Sequence, residues 1–176
     1  LLLTIAVMLE SLITSKTRLR LLVKFFINAA NQGHLRGLAE EFSESTNAIR
    51  KELNNLSEAG YLEKEAIRNT ISYRANIKHP LFLLLQSVVR KTIGLDTIVA
   101  TILERMGEVQ KVYLVGDYAE GRDSGTIEVV IVGEVLNEEY VEQLAFKIEG
   151  EIKRKVKFIL SKDYREEGLL LFGNES

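Results

Sequence analysis

Leu38-Ala-Glu-Glu-Phe-Ser-Glu-Ser-Thr-Asn-Ala-Ile-Arg-Lys-Glu-Leu53, continued by Asn54-Asn-Leu-Ser-Glu-Ala-Gly60, is the stretch that decides the fold. Leu35, Leu38, Ala39 and Phe42 recur at helical spacing and define a short amphipathic helix. Ser43-Glu44-Ser45 breaks it with three polar residues in a row. A second helix is expected from Thr46 to Ala59, with Ile49, Leu53 and Leu56 on one stripe. Gly60 lies just past its end, where a residue without Cβ closes a helix at least cost. Two short helices joined by about three residues, the second polar opposite its apolar stripe, make the helix-turn-helix pattern.

Thr46, Asn47, Arg50, Lys51 and Asn54 fall away from the buried stripe. Amides can read adenine edges, and cations can reach guanine or phosphate. Ser45 is the expected cap, and the amides it leaves at the helix start can hold a phosphate. Upstream, Leu19, Leu22, Val23, Phe26, Ile27 and Ala30 follow the cap candidates Thr14 and Ser15 at helical spacing, and Asn31-Gln-Gly33 stops that helix. Downstream, Tyr61 to Ala75 carries β-branched and aromatic residues on both sides of a turn-prone centre, Arg68-Asn69-Thr70. This reads as a β-hairpin with Arg68 at its tip, within reach of backbone phosphate or a minor groove.

The 176 residues are 46% hydrophobic, enough for a packed core and against disorder. No cysteine is present and only His34 and His79 represent histidine, which removes disulfides and argues against a zinc site or any other metal. Leu1 to Leu9 is apolar but short of the roughly 20 residues that span a bilayer, and it lacks the basic flank and cleavage site of a signal peptide. A cytoplasmic protein without membrane contact is expected. Residues 1–90 hold 12 Lys+Arg against 8 Asp+Glu, whereas residues 91–176 hold 11 against 17. The first half can therefore offer a positive face to nucleic acid, while the second would repel it.

With those residues in place, the run from Leu38 to Leu62 resembles the winged helix-turn-helix of ArsR/MarR-type bacterial and archaeal regulators, over residues 16–78. The resemblance implies that double-stranded DNA is met by Ser45, Thr46, Asn47, Arg50, Lys51 and Asn54, with Arg68 and Asn69 on the flanking backbone. Glu44 departs from the family, which has an apolar residue in the turn; a carboxylate there loosens the turn or lies near DNA. Residues 1–15 are expected to form an N-terminal arm. Met8-Leu-Glu-Ser-Leu12 begins the part the resemblance covers best, so residues 1–7 either precede the usual start or form an ordered apolar arm.

Residues 79–107 are expected to form a helical connector. Pro80 suits a first helical turn, Leu81 to Ile93 is apolar nearly all round, Gly94 interrupts, and Asp96 is the expected cap of a second segment that Gly107 ends. Such a helix should be buried, either under the second domain or under another copy of the chain. His79 is expected to be structural.

Beyond it, Lys111–Val115, Thr126–Val132 and the alternating Val156, Phe158, Leu160 read as strands. A short helix follows Gly116, and a longer one, capped by Asn137, carries Val141, Leu144, Ala145, Ile148 and Ile152. This is an α/β unit, so the whole chain is α+β. Gly116-Asp-Tyr-Ala-Glu-Gly121 followed by Thr126-Ile-Glu128 resembles the minimal nucleotidyltransferase signature, and Arg90-Lys-Thr-Ile-Gly-Leu95 matches the connector of a recurring two-domain architecture. That family's chemistry needs carboxylates holding Mg²⁺ beside nucleotide phosphates. Here Asp117 stands at the phosphate-contacting serine, Thr126 at the first metal aspartate and Glu128 at the second, with Lys155 and Lys157 where a third carboxylate belongs.

The resemblance implies that residues 108–176 are a degenerate nucleotidyltransferase-like domain. It would have a vestigial cleft at Gly116, Asp117, Gly121, Thr126 and Glu128, no catalytic residue and no cofactor. The expected function is a homodimeric, sequence-specific transcriptional regulator whose second domain serves small-molecule sensing or assembly. The rivals are a Mg²⁺-dependent nucleotidyltransferase with an accessory winged helix and a protein-interaction module.

Overall fold

Ser15 caps helix α1 (Lys16–Phe26) in the computed structural model, which describes residues 11–174; its hydroxyl accepts the Arg18 amide at 3.1 Å. The buried face of α1 centres on Leu21, Leu22, Phe25 and Phe26. Leu19 and Val23, expected inside, are half-buried, and Ala30 is exposed. The face is broader than one stripe because α1 packs on both the helix Thr46–Glu58 and the strand Thr70–Ala75.

After α1 the chain does not merely stop. Gln32–His34 forms a short strand, β1, and Gly33 permits it: a Cβ there would lie 2.9 Å from Leu38. Helix α2 (Leu35–Phe42) is capped by His34, whose Nδ1 accepts the Gly37 amide at 3.1 Å. Ser43 then turns left-handed (φ 53), and Glu44 donates its amide back to the Ala39 carbonyl at 3.0 Å. Helix α3 (Thr46–Glu58) ends at the cap Ala59. Gly60 (φ 79) lets the Tyr61 amide reach the Leu56 carbonyl at 2.9 Å, the closure expected for a left-handed residue after a cap. Ile49, Leu53 and Leu56 are buried, as their spacing predicts.

Strands β2 (Leu62–Ile67) and β3 (Thr70–Ala75) form a hairpin, and β1 adds to the far side of β3, giving an antiparallel sheet of order β1-β3-β2. The turn is two residues long, not three. Ile67 pairs with Thr70, and Arg68 (φ 48) and Asn69 (φ 65) are both left-handed. That is the primed turn whose twist matches antiparallel strands.

The chain divides into two compact units between Val89 and Arg90, inside helix α4 (Phe82–Ile93). In the first unit Phe82 packs on Phe26 at 5.7 Å between ring centroids. His79 is structural: its Nδ1 accepts the Leu81 amide at 3.1 Å, and its ring lies 4.2 Å from that of Tyr61. The expected burial of α4 is incomplete, since Leu83 is 74% and Leu84 61% exposed.

In the second unit Gly94 (φ 97), not Asp96, precedes helix α5 (Leu95–Arg105); Asp96 lies in its first turn, bonded to Lys91 at 2.8 Å. A Cβ on Gly94 would strike Ile152 at 2.6 Å, so this joint needs glycine for close approach. Strand β4 (Lys111–Val115) leads to the one-turn helix α6 (Gly116–Ala119), then β5 (Thr126–Val132). A 3-10 turn (Glu138–Tyr140) precedes α7 (Val141–Ile152), and Asn137 makes no side-chain cap. Strand β6 (Lys155–Ser161) lies parallel to β5, and β7 (Leu169–Phe172) pairs with β4, in the order β6-β5-β4-β7. Val112, Leu114, Ile127, Val129 and Ile131 are buried, as are Leu144 and Ile148 of α7. The protein is thus α+β with a three-stranded and a four-stranded sheet among the described residues. No described helix is long and apolar enough to cross a membrane.

Candidate nucleic-acid interface

The outward side of α3 follows from its period. With Ile49, Leu53 and Leu56 inside, Thr46, Asn47, Arg50, Lys51 and Asn54 are all exposed, and so is Ser45 at the cap. The Ser45 hydroxyl accepts the Ala48 amide at 3.2 Å. Arg50 donates to the Asn47 side-chain oxygen at 3.0 Å, one turn apart, which leaves the Asn47 amino group pointing to solvent. Every exposed charge between Ser45 and Asn54 is positive.

Three glutamates of this region are bonded to α1, while Glu40 and Glu58 stay exposed. Glu52, on α3 itself, is buried and takes Arg18 at 2.7 Å and the Ser15 hydroxyl at 3.0 Å. Glu41 of α2 takes Lys24 at 3.0 Å, and Glu44 in the turn takes Arg20 at 2.6 Å together with the Thr17 hydroxyl. All three cations come from α1. The turn at Glu44 is therefore not loose; its carboxylate is bonded back to α1. Sequence reasoning had no signal for these pairs, because partners 17 to 34 positions apart have no shared periodicity.

Arg68 and Asn69 are exposed at the hairpin tip. Ile67 (45% exposed) and Ile71 (48%) flank them, an apolar addition the sequence reading did not single out, although two isoleucines beside a polar turn were there to be noticed.

The second group of expected residues gathers only in part. Gly116 and Glu128 meet directly: the Glu128 carboxylate lies where a Cβ on Gly116 would be. Glu128 is paired with Lys157 at 3.3 Å. Asp117 is paired with Arg122 at 2.7 Å, and that bond, then one from Ser124, holds its carboxyl below the usual range. The same contact raises the Arg122 guanidinium. Gly121 (φ 78) closes α6 through its amide to the Tyr118 carbonyl at 3.1 Å. Thr126 stands apart at the start of β5, opposite Lys155.

Behind this loop, fully buried Tyr118 donates its hydroxyl to Asp123 and accepts the Gly125 amide at 3.1 Å. Burial and Asp123 push the phenol up to about 12. Asp123 also takes Arg154 at 3.1 Å; burial lowers that guanidinium, but Asp123 and Tyr118 together raise it on balance. A Mg²⁺ centre does not fit this donor set. The metal would have to displace Lys157 from Glu128 and Arg122 from Asp117, and no three His, Cys, Asp or Glu side chains lie together among the described residues.

No family model matches this chain, and neither a curated protein nor a solved structure matches it.

Proposed function

We propose that the protein is a cytoplasmic, sequence-specific transcriptional regulator whose first unit is a winged helix-turn-helix reading head for double-stranded DNA. The observation that carries the reading is the outward face of α3, polar and cationic from Ser45 to Asn54, with Glu41, Glu44 and Glu52 held by α1. In this reading α3 enters the major groove; Asn47 and Arg50 read base edges, and Lys51 neutralises phosphate. Arg68 and Asn69 touch the flanking backbone.

The regulator acts as a homodimer, and the exposed Leu83 and Leu84 support a second copy as the cover for α4. Its two heads read half-sites about 34–36 Å apart, one turn of the duplex. The second unit, nucleotidyltransferase-like in sequence, has no transferase role in this reading and serves sensing or assembly; the pairing of Asp117 and Glu128 with their own cations supports that.

Binding-site selection from random duplex DNA is expected to enrich a motif with two related half-sites. Lys51→Ala/Arg68→Ala should then lower the slope of log K against log salt by roughly two, while Asn47→Ala or Arg50→Ala alters the selected sequence. No enriched motif, or an unchanged slope in the double variant, would remove the reading.

A further inference from the structure

Within the second unit, the leading ends of β5 and β6 carry a concentration of positive charge. Thr126 opens β5 and stands beside Lys155, which opens β6. The Lys155 amide donates to the Gly125 carbonyl at 2.9 Å, tying the two strand starts together. Lys153 turns the chain out of α7 in a left-handed conformation (φ 58), two residues before Lys155. Gly125 (φ 93) would meet nothing within 4 Å of a Cβ, so open space lies directly over the backbone here. That space is an open surface depression of about 500 Å³, lined by these residues with Ser124, Glu149 and Arg154 and wide enough to admit a small molecule.

The sign of the field follows from the balance of charges at the site. Asp123 is paired with Arg154 and accepts the Tyr118 hydroxyl. Among the described residues the Glu149 carboxylate accepts only the Val156 amide at 2.9 Å and keeps its charge, so the two lysines outnumber one unpaired carboxylate. The ammonium groups of Lys153 and Lys155 have no partner among the described residues, nor has the Thr126 hydroxyl, and all three residues are exposed. Two unpaired ammonium groups, a hydroxyl and the rim of an anchored guanidinium suit a compact dianion rather than a single carboxylate. The ligand is not a long polyanion, because residues 91–176 carry 17 acidic against 11 basic side chains and would repel an extended chain of phosphates.

We propose that this pocket binds the phosphate group of a small molecule through Lys153, Lys155 and Thr126, with Gly125 allowing close approach. The inference rests on the regulator reading only in treating the occupant as a signal; the pocket itself is tested without DNA. Of the vestigial-cleft residues expected from the sequence, only Thr126 lines it.

The test is a titration of the ¹⁵N-labelled full chain with inorganic phosphate and, separately, glucose 6-phosphate, at constant ionic strength against chloride. Saturable shifts confined to the amides of Gly125, Thr126 and residues 153–155 are expected. Equal affinity for the two probes assigns the site to free phosphate, and tighter binding of the sugar phosphate assigns it to a phosphomonoester. Lys153→Ala/Lys155→Ala should weaken binding at least about tenfold, and Lys162→Ala should not. Because Lys153 is left-handed, Lys155→Gln alone, checked for an unchanged spectrum without ligand, serves as the second variant and should cost several-fold. Non-saturating shifts, shifts spread over the lysine surface, or unaltered binding in Lys155→Gln would overturn the assignment.

Discussion

Both units spend ion pairs, to opposite effect. In the first, three cations of α1 take up Glu41, Glu44 and Glu52, so that what remains outward on α3 from Ser45 to Asn54 is cationic and amide-bearing. In the second, Arg122, Arg154 and Lys157 take up Asp117, Asp123 and Glu128, so that Glu128, the one carboxylate at an expected metal position, and its acidic neighbours are already paired. In the proposed reading the first arrangement leaves a surface for a polyanion. The second removes one for a divalent cation. Net charge alone would have missed both, because what matters is which member of each pair is left without a partner.

The pairs also differ in depth, and the largest expected effect tests that difference. Lys24 and Glu41 are 9% and 18% exposed as side chains, whereas Arg122 and Asp117 are both 43% exposed. Lys24→Ala leaves Glu41 largely buried without its cation and should cost about 2–3 kcal/mol in urea unfolding, discounted from a fully buried pair. Arg122→Ala should cost at most about 1 kcal/mol, because water screens that pair. Equal costs would erase the distinction.

The next effect probes a buried polar network of the second unit. Tyr118→Phe removes a buried hydroxyl that both donates to Asp123 and accepts from Gly125, and should cost about 1–3 kcal/mol. Its pH signature is specific. The phenol rises from 10.0 to about 12, so its contribution is complete below pH 10 and is lost as pH climbs through about 12. The stability gap between wild type and Tyr118→Phe should therefore narrow over that interval. A constant gap would mean that the hydroxyl acts by packing alone.

Much of the architecture was legible because it is local. Ile49, Leu53 and Leu56 specify α3 by period, Ser15 and Ser45 mark helix starts, and Gly60 marks an end. What escaped depended on distant partners. β1 exists because β3 offers it an edge, and β7 because β4 does. Leu169-Leu-Leu-Phe172 between two glycines was a readable strand signal; Gln32-Gly-His34 was not. Asn137 failed as a cap because a 3-10 turn intervenes before α7. The exposed set on α3 could be named from periodicity, but its electrostatic isolation could not. That isolation lies in side chains of α1 that sequence alone would assign to an ordinary solvated face.

The smallest expected effect tests that isolation most directly. Arg20 holds Glu44 at 2.6 Å and also donates to the Phe42 carbonyl at 3.1 Å, next to the turn that aims α3. Removing it in Arg20→Ala should release the Glu44 carboxylate from its cation, although Thr17 still donates to it. If α3 meets DNA, that unmasked charge should weaken binding about two- to fivefold, since the pair is half-exposed and screened. Adding Glu44→Gln to Arg20→Ala should restore most of the loss, because the amide keeps the Thr17 bond and carries no charge. If the double variant stays weak and its salt slope falls by about one, Arg20 touches phosphate itself, and its pairing with Glu44 is incidental. If neither variant changes affinity while selection still yields a motif, the turn lies away from the duplex, and the contrast between the units belongs to stability rather than to recognition.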